Sequence, residues 1–191
     1  MITVTDTIKS LEARLGALPA ERMAAATRAL NRTMTTVRAE AARKMRDEYP
    51  GVKIGTLRRR MKLTKATRLK PSAAIVFSGR RFSLYRNFSM RRVGQFGVRF
   101  RKLPWRIETI DGDPVTPEMI ARAFVQRGRR SGAASVFSRH TRERDSFEVL
   151  VAPGVARAFA ERKIGEALSR IALARFSVVF QHELKFRISK R

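Results

Sequence analysis

From residue 19 to residue 48 the apolar positions fall on one line: Met23, Thr27, Leu30, Met34, Val37, Ala41 and Met45, at steps of four, three, four, three, four and four. That spacing marks one face of an α-helix, and Arg28, Arg32, Arg38, Arg43 and Arg46 lie mostly off it. Tyr49-Pro50-Gly51 ends the helix, because proline cannot continue it and biases the residue before it toward extended backbone. A shorter helix is expected ahead of it, with Asp6 as N-cap and Ile8, Leu11 and Leu15 at helical spacing. Beyond Gly51 the period changes. Residues 54–60 read as a turn of helix with Thr56 as its cap, 61–67 as a strand, 72–78 as a buried strand and 95–102 as a half-buried one. Residues 79–94 show no clean period and are expected to form a long loop. Pro104-Trp105 and Asp111-Gly112-Asp113-Pro114 are turn signals, and Thr116 caps a short helix with Pro117 at its first position. Residues 123–127 and 135–139 read as a hairpin across the tip 128–132, and Phe147, Val149 and Val151 mark a further strand. Helices follow over 155–162 and 165–187. In the second, Leu168, Ile171, Ala172, Phe176, Val179, Phe180 and Leu184 face inward, while Ala174, Val178 and Phe186 spread apolar surface to other sides. Those three are the candidate oligomer interface.

The order of elements predicts an α+β fold: a mostly antiparallel sheet flanked by a long N-terminal helix and a long C-terminal helix. A chain of 191 residues suits one domain. Its expected parts are helical over 1–50, a basic sheet region over 51–152 with a long loop at about 79–94, and helical over 153–191.

Charge then narrows the reading. The chain holds 42 Lys and Arg against 16 Asp and Glu, a formal charge of +26. Between Glu48 and Glu108 there is no acid at all, yet residues 53–106 carry seventeen cations. The apolar pieces threaded through this belt mark it as folded rather than as a disordered basic arm. A field of that sign calls for an anionic partner. The candidate phosphate contacts are Arg58, Arg59, Arg60, Arg80, Arg81, Arg91, Arg92, Arg129 and Arg130, with Phe82, Tyr85 and Phe88 interleaved for base stacking. With no cysteine there is no disulfide, thiolate nucleophile or cysteine-held zinc. No signal-peptide pattern opens the chain, and apolar runs reach only about five residues, against the roughly 20 a spanning helix needs. No membrane partner is expected.

Catalytic constellations are thin. His140 beside Asp145 could be imagined as an oriented base, but a histidine in a charged turn is the simpler reading. His182 and Glu183 point about 100° apart on a helix and share no ligand site easily. Asp111-Gly112-Asp113 lacks the further oxygens of a calcium loop, and the 128–132 tip is not followed by the Gly-Lys-Ser/Thr of a phosphate loop. No catalytic residue, metal or cofactor is expected.

Several stretches in sequence carry a resemblance: Ala26-Thr27-Arg28-Ala29-Leu30-Asn31-Arg32, Thr56-Leu57-Arg58-Arg59-Arg60, Ala123-Phe124-Val125-Gln126, Val149-Leu150-Val151-Ala152-Pro153-Gly154 and Phe180-Gln181-His182-Glu183-Leu184-Lys185-Phe186-Arg187. In order, length and basicity the chain resembles the minor tail protein Z (tail completion) family of lambda-type long-tailed phages, from about residue 24 to 191 and least across 82–113. The resemblance implies a non-enzymatic virion protein at the head-proximal end of the tail, assembled in the host cytoplasm. It fits a homo-oligomeric ring of about six copies, with tail terminator, tail tube and head–tail joining proteins as neighbours and a basic surface that faces either duplex DNA in the lumen or acidic neighbouring proteins. The alternative is a cellular, sequence-independent RNA- or DNA-binding protein of a ribonucleoprotein or nucleoid.

Overall fold

The structure, a computed structural model, describes residues 20–94, 97–127, 132–139 and 147–188. The expected first helix at Asp6, Ile8, Leu11 and Leu15 lies outside these residues. Contacts group the chain into two compact units. One comprises residues 1–44, 58–78 and 159–191, the other residues 45–57 and 79–158. The basic belt is thereby divided between the two.

The first unit is built on two long helices, α1 (Ala20–Glu48) and, at the other end of the chain, a 25-residue helix, Ile164–Ile188. The α1 stripe is buried as its spacing predicts: Leu30, Met34, Val37 and Ala41 are each at most 2% exposed. Ala25, Ala26 and Ala29 leave room on α1 for Phe176 and Phe180, whose rings stack at 5.7 Å. Leu168 and Ala172 are buried on the same line of the C-terminal helix. Each buried phenylalanine of this kind is worth about 1.5–3 kcal/mol. A two-stranded antiparallel sheet completes the unit, β1 (Met61–Thr64) against β2 (Ala74–Phe77). Here the expectation of a buried strand is corrected. Val76 is 57% exposed, because a hairpin packed on one side leaves its alternate residues to water. The loop between these strands is pinned to α1 by one side chain: Asn31 Oδ1 accepts from Ala66 N at 2.8 Å, and Asn31 Nδ2 donates to Ala66 O at 3.0 Å. The amide thus serves a backbone N–H and C=O that would otherwise lack a strand partner.

Between α1 and β1 lies α2 (Ile54–Arg59), whose start is closed by Lys53: Thr56 N and Leu57 N both donate to its carbonyl, at 2.8 and 3.2 Å. Thr56 is therefore inside the helix and not its cap.

The second unit holds a seven-stranded antiparallel sheet. Its strands are β3 (Phe82–Ser83), β4 (Met90–Val93), β5 (Gly97–Phe100), β6 (Glu108–Thr109), β7 (Phe124–Arg127), β8 (Ala134–Arg139) and β9 (Phe147–Ala152). The order is β3-β9-β8-β7-β5-β4, with β6 also on β9. Residues 79–94, read from sequence as a loop, contain β3, the short helix α3 (Leu84–Asn87) and most of a hairpin arm. The period is hidden because a two-residue strand, one helical turn and a four-residue strand each end before a repeat shows. Ser83 caps α3, its hydroxyl accepting from Arg86 N, and Thr116 caps α4 (Pro117–Ala121) as expected. Thr109 closes the Asp111-Gly112-Asp113 turn, bonding Asp113 N through its hydroxyl and Asp113 O through its amide. A final helix α5 (Val155–Glu161) precedes the C-terminal helix, hereafter α6.

Tyr49, fully buried, ties this unit together. Its hydroxyl donates to Pro153 O at 2.9 Å, with Gly154 O at 3.2 Å, and its ring meets Phe82 at 5.0 Å. Gly154 is required for close approach: a Cβ there would lie 2.3 Å from the Gly79 carbonyl oxygen. Gly154→Ala should therefore cost about 2 kcal/mol or more by overpacking against backbone, and Tyr49→Phe about 1 kcal/mol for the lost hydrogen bond. Urea unfolding measures both, and equal stability of Gly154→Ala and the parent chain would contradict the contact.

Candidate functional site

Of the seventeen cations between residues 53 and 106, all but Arg60 and Arg106 are exposed. Strand alternation produces this in β1, where Met61 is buried and Lys62 faces water. The candidate phosphate contacts separate into groups. Arg58, Arg59 and Arg60 lie in the first unit, Arg80, Arg81, Arg91 and Arg92 in the second. Arg129 and Arg130 lie outside the described residues, as do His140 and Asp145.

These arginines are not equivalent. Arg81 is structural: its Nε donates to Glu108 Oε1 at 3.1 Å, and its Nη1 also donates to Ile110 O. The other oxygen of Glu108 accepts from Arg157 Nη1 at 2.6 Å. Glu108 is only 1% exposed, so the two guanidiniums are what allow a carboxylate to be buried there at all. Arg59, Arg60 and Arg80 each make a bonding or electrostatic contact of their own. Arg58 is exposed, and its carbonyl accepts from Arg38 Nη2 at 2.7 Å. Arg91 and Arg92 are exposed on β4, an edge strand.

The candidate stacking aromatics divide too. Phe82 and Phe88 are buried, whereas Tyr85 is 40% exposed. Their alternation along the chain could not show that β3 and α3 turn two of them into the core.

On α6 the apolar surface is real. Val178 is 62% exposed, Phe186 and Leu173 are each 45% exposed, and Ala174 is exposed as well. Ala174 and Val178 are one turn apart, while Phe186 lies about 80° further round. Sequence reading missed Leu173, which looks like an ordinary core position until the helix is oriented. It also missed the cations around this surface, Arg170, Arg175 and Lys185, all exposed. Beside it a groove of about 570 Å³ is lined by Asn31, Arg32, Thr35, Thr36, Lys65, Arg175, Val178, Val179 and His182. Glu183, next to His182 in sequence, turns the other way: it is 3% exposed and ion-paired with Arg32 of α1. Its isolation among apolar inward positions was the one sequence sign of that pairing.

Among the described residues no group of three or more His, Asp or Glu side chains is placed to hold a metal ion, and no helix is long and apolar enough to cross a membrane. What the described residues present is a surface of cationic strands and loops and a helix with exposed apolar side chains.

Residues 8–190 match the family model described as Prophage minor tail protein Z (GPZ). The chain belongs to that family. No curated protein and no solved structure matches it significantly. As a minor tail protein Z, it is a structural, non-catalytic protein of phage tail assembly and completion. Within this family member, the Glu108 centre gives Arg81 of the basic belt a carboxylate partner inside the fold.

Glu108→Gln should destabilise the chain by about 3 kcal/mol, because two guanidiniums lose their buried partner. Arg58→Gln, at an exposed site, should change stability by less than about 0.5 kcal/mol. Urea denaturation distinguishes them; equal stabilities for the two variants would remove Arg81 from the structural class.

Proposed function

We propose that this minor tail protein is a subunit of a closed ring of about six copies at the head-proximal end of the tail. Its basic surface faces duplex DNA in the lumen, and its α6 surface packs on a neighbouring copy or an adjoining tail protein such as the terminator, tube or head–tail joining proteins. The observation that carries this reading is the acid-free belt of seventeen cations, fifteen of them exposed on the folded chain. Such a surface is repelled by itself and by its own kind, and the phosphate backbone neutralises it without sequence preference. Family membership favours this reading over a cellular ribonucleoprotein or nucleoid role.

The α6 surface supports the ring. Arg170, Arg175 and Lys185 surround Val178, so two copies of the same face brought together by a twofold axis would oppose like charges. A contact between two different faces avoids this, and such head-to-tail contacts close into rings.

Binding of labelled duplex DNA to the purified chain is expected to lose about 0.9 in log K per tenfold rise in salt for each phosphate neutralised, equally for unrelated sequences. Fluorescence anisotropy across a salt series measures this. Salt-sensitive assembly with tail proteins that added DNA does not compete would replace the lumen reading with docking on acidic neighbours.

Val178→Asp should abolish the oligomer seen by light scattering while shifting stability by less than about 0.5 kcal/mol. An unchanged oligomer would show that α6 is not in the interface.

A further inference from the structure

We propose that Arg91 and Arg99 form a two-guanidinium clamp for a single backbone phosphate, so that the β4–β5 hairpin is the element that grips DNA; the inference rests on the DNA reading above. In the antiparallel register Arg91 stands directly opposite Arg99, and Arg92 opposite Val98. Directly opposed residues share a face, with Cβ atoms about 5 Å apart. One face of the hairpin therefore carries Arg91, Val93, Gly97 and Arg99. The other carries Met90, Arg92, Phe100 and the buried Val98. The neighbours in sequence, Arg91 and Arg92, are on opposite sides, and the functional pair is one that only the register reveals.

Like charges set opposite each other on adjacent strands repel. Among the described residues neither guanidinium has an ion-pair or hydrogen-bond partner, both are exposed, and no acid occurs in either strand. Charges on an edge strand guard against unwanted pairing, which accounts for cations on β4. β5 pairs with β7 only at Gly97↔Phe124, so guarding extends to Arg99 as well; it does not account for setting the two like charges directly opposite each other. The hairpin is also held firmly. Gly94 turns it at φ +64°, a Cβ on Gly97 would meet Val93 O at 2.7 Å, and Val98 N and Arg101 N donate to Ala123 O and Ser89 O, each at 3.1 Å. A phosphodiester between the two planar forks relieves the repulsion and accepts hydrogen bonds from both.

The test compares the full chain with Arg91→Gln, Arg99→Gln, the double variant of these two, Arg91→Gln combined with Arg92→Gln, and Arg91→Glu, using labelled duplex DNA over a salt series and thermal melts without DNA. Either Arg→Gln variant at 91 or 99 should lower affinity roughly tenfold and reduce the salt slope by about 1. The double variant should lose no more slope than a single, because one phosphate is shared, whereas adding Arg92→Gln to Arg91→Gln should lose further slope, because Arg92 on the opposite face meets a separate phosphate. Arg91→Glu should melt higher than the parent, by pairing with Arg99, and bind DNA worst. A double variant that loses twice the single slope, or singles that bind as the parent does, overturn the clamp while leaving DNA binding in place. Absence of any duplex binding by the parent overturns the DNA reading and the clamp with it.

Discussion

With 42 basic residues against 16 acidic ones, this fold holds together by keeping its cations in water and by using the few buried carboxylates to anchor arginine. Among the described residues each compact unit has one buried carboxylate of this kind. Glu183 pairs with Arg32 in the unit built on the long helices, and Glu108 pairs with Arg81 and Arg157 in the sheet unit. Buried ion pairs are poor sources of net stability, since desolvation offsets most of the attraction. What they supply here is placement: a guanidinium fork accepts a carboxylate in few geometries, so each centre fixes how two distant pieces of chain meet.

The rest of the packing follows from that division of labour. Alanines at 25, 26 and 29 admit Phe176 and Phe180 without any polar cost, and Asn31 satisfies the loop at Ala66. In the sheet unit, Tyr49 brings its hydroxyl to carbonyls at 153 and 154, and Gly154 lets two backbones approach. Neither device needs an acid. The cationic surplus is therefore left to the surface, where water and salt screen it.

Some interpretation was open from the residues alone. The stripe from Met23 to Met45 fixed α1 because a 3.6-residue period sustained over seven positions leaves one helical solution. The inward line of α6, the Thr116 cap and the antiparallel pairing of β7 with β8 were legible for similar local reasons. So was the resemblance to minor tail protein Z, which rests on the order of pieces. Residues 79–94 were not legible, since elements of two to four residues are shorter than the periods that reveal them. Thr56 was misread as a cap because Lys53 performs that task through its backbone, which no side-chain pattern can show.

Local sequence determined the two long helices, the α+β class and a belt in which ion pairing within residues 53–106 is impossible. It could do so because helical period and charge are properties of neighbours in the chain. Tertiary structure alone decided what each arginine meets. Arg81 reaches Glu108 across 27 positions of chain; Arg91 and Arg92 look alike in sequence, but they project from opposite faces of one strand. Those outcomes depend on register and on residues far away in sequence. A one-residue shift of a strand would exchange them, and nothing local to the arginines sets that shift.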